Sequence, residues 1–229
     1  MPSVPAPFEG RVDQAWLAAA RADTAPDLLA VALQYVHGAP RRRDPSGRRL
    51  AGDAHYGPVR RDGGRDEGSD FNDYLGRRWR HPDGVDRPEW AQRGSLDCSG
   101  FVRMVFGYRG GLPMARAAGG PQALPRRAHQ MADAAPGLVL AADTAAPPAP
   151  LHALAPGDLV FFDAAADDGA RIDHVGIYLG VDSGGRRRFL SSRKGADGPT
   201  MGDTGGRSLL DAVDGRGLYA RAFRAARRL

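Results

Sequence analysis

Pro156-Gly157-Asp158-Leu159-Val160-Phe161-Phe162-Asp163, His174-Val175-Gly176-Ile177-Tyr178-Leu179-Gly180 and Arg187-Arg188-Phe189-Leu190-Ser191-Ser192 follow one another along the chain. Each is short, rich in β-branched or aromatic residues and bounded by Gly and Asp, so each reads as a strand. Asp167-Asp168-Gly169 separates the first from the second, and Asp182-Ser183-Gly184-Gly185 the second from the third. Turns this short favour antiparallel pairing. A further strand-like pattern over 218–224 closes the chain. Within the second strand Val175, Ile177 and Leu179 share one face, and His174, Gly176 and Tyr178 the other.

Working outward, the preceding sequence is helical. Residues 1–8 contain three prolines and read as a mobile tail. A helical pattern spans 12–22, and a second spans 26–37, with Leu28, Leu29, Val31, Ala32 and Tyr35 at helical spacing, Asp27 in its first turn and Gly38 just past its end. Asp97 is a candidate N-cap for a helix carrying Phe101, Val102, Val105 and Phe106 on one face until Gly107, Gly110 and Gly111. Another helix is expected over 126–134, then a Pro-rich connector over 145–156. Residues 39–94 turn to Arg, Asp and Gly with few aliphatics; a stretch this long should hold short elements and shape a surface cleft. Helices first and an antiparallel sheet after make an α+β layout.

Composition narrows the function. The chain has 229 residues, which favours one globular domain with elaborations. Its single cysteine, Cys98, can form no intramolecular disulfide and rules out a Cys-rich zinc site. No window approaches a membrane span, and the first 30 residues show no basic start followed by an apolar core, so no export signal is expected. The net charge is +5, but Lys194 is the sole lysine, and arginines interspersed with 27 acidic residues read as a codon bias and a solvated surface. No nucleic-acid partner is expected.

Cys98 falls in the first turn of its helix, where the macrodipole and unpaired N–H groups favour the thiolate. A packed, inert cysteine is the competing reading. Of the six histidines, His37 follows a helix, His55, His81 and His152 lie in polar loops, and His129 sits beside Arg126 and Arg127 on an expected solvated face. His174 differs: it opens a strand, with Gly176 leaving room beside it.

Asp97-Cys98-Ser99-Gly100-Phe101-Val102, Pro156-Gly157-Asp158-Leu159-Val160-Phe161-Phe162 and His174-Val175-Gly176-Ile177-Tyr178-Leu179-Gly180 closely resemble, in order and spacing, the signature blocks of the NlpC/P60 cysteine peptidases. The resemblance implies a papain-like α+β domain over 26–229, with N-terminal helices packed on an antiparallel sheet, an irregular insertion at 39–94, and a tail and helical extension over 1–25. It implies a cysteine-type endopeptidase that needs no metal or cofactor and cuts bacterial peptidoglycan stem peptides, in particular the γ-D-glutamyl-diamino-acid bond. Cys98 maps onto the nucleophile and His174 onto the general base. The family usually places a His on the next strand to orient the imidazole; here Ser191 occupies that position, either as the orienting group or as an ordinary strand serine. Asp158 maps onto a structural position and reads as a turn cap.

Asp97 and Ser99 match residues that in some relatives bind the free amine of the terminal L-Ala. A tyrosine preceding the nucleophile completes that subsite, and Tyr74 and Tyr56 are both open, with Tyr74 the expected one. The partner is therefore peptidoglycan or a muropeptide. Relatives acting on the wall are exported, so the sequence is trimmed, exported nonclassically, or active on imported muropeptides in the cytoplasm. The alternative is a catalytically weak or inactive fold that binds wall peptides or a protein. Lipid acyl transfer would want an apolar groove, against which the polar 39–94 segment argues.

Overall fold

The computed structural model describes residues 10–117, 122–148, 151–165, 169–211 and 217–229. The tail expected over 1–8 and Asp167-Asp168 of the first turn lie outside them. Helix α1 (Gln14–Ala22) is capped by Asp13 and buries no residue. Helix α2 (Leu28–Ala32) begins at Asp27, whose side chain accepts from the Ala30 N–H, and continues as a 3₁₀ turn over Leu33–Tyr35. The 39–94 stretch holds the short hairpin β1 (Arg42–Arg43) with β2 (Arg49–Ala51), helix α3 (Phe71–Leu75), and a second hairpin, β3 (Trp79–His81) with β4 (Gly84–Asp86). Helix α4 (Cys98–Val102) runs into a π-helical stretch, Arg103–Arg109, and α5 (Ala128–Ala134) follows.

The sheet is six-stranded and antiparallel: β5 (Leu138–Ala141), β10 (Phe223–Arg228), β6 (Leu159–Phe162), β7 (His174–Val181), β8 (Arg187–Arg193) and β9 (Gly198–Thr200), in that spatial order. The α+β layout and the three central strands stand as expected. The last strand does not: residues 218–222 form helix α6 (Leu218–Ala222), and β10 starts only at Phe223. Apolar alternation over 218–224 is equally compatible with one helical turn, and here Tyr219, Ala220 and Ala222 are buried by that turn. Strands β5 and β9 were not anticipated; both are short edge strands with little periodic signal.

Both faces of the sheet are covered, which explains why β6 reads as an unbroken apolar run. Leu159, Phe161, Val175, Ile177 and Leu190 pack in the core shared with α2, α3, α4 and α5. Val160, Phe162, Tyr178, Phe189 and Phe223 pack on the opposite side with Tyr219 and Leu210. Two glycines are required by close approach: a Cβ at Gly100 would stand 2.1 Å from the Ser69 carbonyl oxygen, and one at Gly176 would stand 2.7 Å from the Phe189 ring. Gly100 thus lets α4 press against the segment entering α3.

Arg186 and Arg188 pair with Asp182 and Arg187 with Asp211, while Arg42–Arg43 and Arg187–Arg188 lie in strands. Asp158 accepts from the Ala155 N–H at 2.7 Å and pairs with Arg228, a turn cap in practice. Among the described residues no helix is long and apolar enough to cross a membrane.

Candidate active site

Asp97 caps α4 by accepting from the Gly100 N–H at 2.7 Å, which sets Cys98 as the first helical residue. Cys98 is 6% exposed, and its sulfur lies 3.8 Å from the Asp173 carbonyl oxygen, at the entry to β7. The next residue, His174, opens that strand, so sheet and helix start converge. Cys98 and His174 both line a cleft of about 740 Å³, together with Tyr56, Glu67, Tyr219 and Lys194. His174 Nε2 stands 3.0 Å from Ser191 Oγ on β8, leaving Nδ1 as the other proton-exchanging nitrogen. The imidazole is wedged by Phe162 at 5.9 Å and Tyr219 at 5.2 Å between ring centres.

The electrostatics differ from the expectation of an acidified thiol. Burial pushes the Cys98 thiol up to about 12, the Asp97 carboxylate adds to this, and a hydrogen bond from the Val175 backbone opposes it. Burial likewise drives His174 down to about 3, with Arg193 acting in the same direction. A helix-end field is worth roughly 0.3–1 kcal/mol, whereas full burial moves a pKa by up to about 3–5 units, so desolvation wins. Both shifts run toward the uncharged forms, thiol and neutral imidazole.

Asp97 and Ser99 also line the cleft, but their side chains are engaged. Arg126 donates to Asp97 Oδ1 at 3.1 Å and Oδ2 at 2.7 Å, and to Ser99 Oγ at 2.6 Å. Ser99 in turn donates to Asp97 Oδ1 at 3.2 Å, and the Gly68 N–H to Oδ2 at 3.1 Å. Burial by itself would raise the Asp97 carboxyl, but Arg126 and these donors hold it below the usual range. The solvated face expected at Arg126 is therefore incorrect: its side chain is 13% exposed. The Leu124-Pro125-Arg126 sequence before α5 carried the only hint, an arginine ahead of the first buried helical residue.

The two tyrosines open for the substrate site, Tyr74 and Tyr56, have different surroundings. Tyr74 is fully buried within α3, donates its hydroxyl to the Gly52 carbonyl at 2.7 Å and does not line the cleft. Its edge-on contact with Tyr35 ties α3 to α2, a core role. Tyr56 does line the cleft; its hydroxyl lies 3.3 Å from Glu67 Oε1, and Glu67 pairs with Lys194 at 2.7 Å. His81, expected in an exposed loop, is 4% exposed in β3 and bonds the Met114 carbonyl through Nδ1. His129 lies at the cleft wall, and His55 pairs with Asp197.

A helix-start cysteine and a strand-start histidine lining one cleft, on an antiparallel sheet flanked by helices, define an α+β domain of the papain-like class. The chain belongs to the NlpC/P60 family, whose model matches residues 84–198. Among solved structures it is similar to an NlpC/P60 family protein from Bacillus cereus, at 19% identity over 61% of this chain and 34% of that one, with a TM-score of 0.36. It is also similar to a Staphylococcus aureus protein described as similar to lipoprotein, of the NLP/P60 family, at 17% identity over 93% of this chain and 47% of that one, with a TM-score of 0.40. The chain therefore spans about a third to a half of the length of those two proteins. No curated protein matches it.

Proposed function

We propose that the protein is a thiol-dependent endopeptidase of peptidoglycan stem peptides, cutting the γ-D-glutamyl-diamino-acid bond. The observation that carries this reading is the common cleft of Cys98 and His174, with His174 Nε2 bonded to Ser191. His174 takes the thiol proton as Cys98 sulfur attacks the carbonyl, and the imidazolium returns that proton to the leaving amine. Water then hydrolyses the thioester with His174 again as base, releasing the acid and the free thiol. The Cys98 N–H, in a first helical turn with no preceding helix carbonyl to bond, stabilises the oxyanion. Binding a peptide displaces cleft water and supplies an electrophile, so the thiolate is needed only along the reaction path.

The peptide amine is read at the Tyr56 end. Asp97 and Ser99 shape that end from below, but every Asp97 oxygen already accepts from Arg126 and backbone or Ser99 donors, so Glu67 is the carboxylate with room for an ammonium. Its side chain is 56% exposed, and Lys194 is the cation the substrate amine would replace.

The test is mass spectrometry of defined stem peptides, with free and acetylated N-termini, incubated with the wild type and with Cys98→Ala. Cleavage between D-Glu and the diamino acid that vanishes in Cys98→Ala supports the peptidase. A second reading, a binding module, gains if no peptide is cut while one is retained with measurable affinity.

A further inference from the structure

Ser191 has a partner besides His174. Arg193 Nε–H donates to Ser191 Oγ at 3.0 Å, the same oxygen that lies 3.0 Å from His174 Nε2. Residues 191 and 193 share a face of β8, so the strand's period of two sets the guanidinium directly behind the hydroxyl. Arg193 is 2% exposed and is held by the Gly202, Thr204 and Gly206 carbonyls and by Ser208 Oγ. Its Cζ lies 4.4 Å from the Tyr219 ring centre, and that ring leans on the imidazole. Both groups that touch His174 from this side, the hydroxyl and the phenol ring, are thus backed by one buried cation.

A hydroxyl that accepts from a guanidinium becomes a better donor and a poorer acceptor. Toward a His174 Nε2–H it is therefore a weaker acceptor, and the imidazolium, the stronger donor of the two protonation states, loses most by that. A carboxylate third residue, which only accepts, does the reverse. We propose that Arg193 is a positioning residue that, through Ser191 and Tyr219, orients His174 and holds it uncharged at rest, so that Cys98 rests as a thiol instead of in a thiolate–imidazolium pair.

The other charged or titratable groups around His174 are Lys194, following β8, Asp97 and Cys98 at the start of α4, Asp173 ahead of β7, and Tyr219 on α6. Lys194 acts with Arg193 and Asp97 against it. The inference rests on the peptidase reading for its catalytic meaning, but its readout does not need turnover.

Cys98 is the only cysteine, so iodoacetamide alkylation against pH reports that one thiol. The wild type, Arg193→Gln, Arg193→Lys and Ser191→Ala are compared, each alone and combined with His174→Gln, with folding checked by circular dichroism. Arg193→Gln is expected to lower the alkylation midpoint by about one pH unit, roughly a tenfold gain in rate on the acid side. Arg193→Lys, which keeps the charge, is expected to stay near the wild type, and Ser191→Ala to fall between. The shift is expected to vanish with His174→Gln. An unchanged midpoint in folded Arg193→Gln, or a shift that survives His174→Gln, overturns the proposal. If Arg193→Gln does not fold, an unchanged midpoint in Ser191→Ala overturns it. Failure of every variant to cut peptides would sink the peptidase reading alone, since the midpoints decide this one.

Discussion

Replacing Arg103 by Met tests the frame behind the cleft. Arg103 is 1% exposed in the π-helical stretch that continues α4. Its Nε donates to both oxygens of Asp70, at 3.1 and 3.0 Å, and its Nη1 to the Ala115 and Leu124 carbonyls, at 2.7 and 2.8 Å. Met keeps most of the buried methylene volume, so the loss is electrostatic and not a cavity. Stripping one partner from a buried ion pair costs about 3–5 kcal/mol. Asp70 keeps its bond from the Phe71 N–H and a longer contact with Arg126 at 3.6 Å, which trims that figure. The two carbonyls left without a donor each add roughly 1–3 kcal/mol if water cannot reach them.

A net loss of about 4 kcal/mol is expected, a large share of the roughly 5–15 kcal/mol that holds a domain folded. At this chain length that corresponds to a fall of about 10 °C in Tm. Urea titration followed by circular dichroism measures it. Because the Leu124 carbonyl stands two residues from Arg126, cleavage in Arg103→Met is expected to drop even well below its midpoint. A loss under about 1 kcal/mol would refute the reasoning, because it would mean that Asp70 and both carbonyls re-pair at no cost.

Two further outcomes separate groups that the sequence leaves confounded. Tyr74→Phe removes a buried donor to the Gly52 carbonyl, so about 1–2 kcal/mol of stability should go while KM for the stem peptide stays unchanged, whereas Tyr56→Phe should raise KM with little loss of stability; the reverse pattern in peptide kinetics and melts would restore Tyr74 to the substrate site. His174, held near 3 in the fold against an ordinary 6.5, takes up its proton only on unfolding, so its stabilising contribution is complete above about pH 6.5 and is lost as the pH falls toward 3. One proton sets a limit of about 1.4 kcal/mol per pH unit on that slope, and denaturant titrations from pH 7 to 4 should show a shallower fall in His174→Gln than in the wild type; equal slopes would place a charged imidazole in the folded state.

The legible parts of the chain are those where chemistry and period lie close together in sequence. Asp97 followed by Cys98 and an apolar face announces a capped helix with a thiol at its start. The alternation from His174 to Leu179 announces a strand with an imidazole at its mouth. Gly- and Asp-rich turns announce antiparallel pairing, and Ser191 is placed by the apolar pair ahead of it. Each of these follows from backbone geometry acting over a few residues: caps, side-chain alternation and turn dihedrals are local properties.

What the tertiary structure alone decided is which partners meet. Arg126 reaches Asp97 and Ser99 across 29 and 27 positions of sequence, and Arg103 reaches Asp70 across 33. Tyr74 is buried with every other residue of its five-residue helix, and a helix of little more than one turn carries no readable period from which that burial could be foreseen. Residues 218–222 coil and do not extend because Tyr219 is buried there beside His174 and Arg193, neighbours that only the folded sheet assembles. The sequence by itself thus determined the capped helix at Cys98, the three central strands and the Cys98, His174 and Ser191 positions, through local backbone physics. Their charge states, hydrogen-bond partners and access to substrate were decided by burial and long-range pairing, which exist only once the chain has closed.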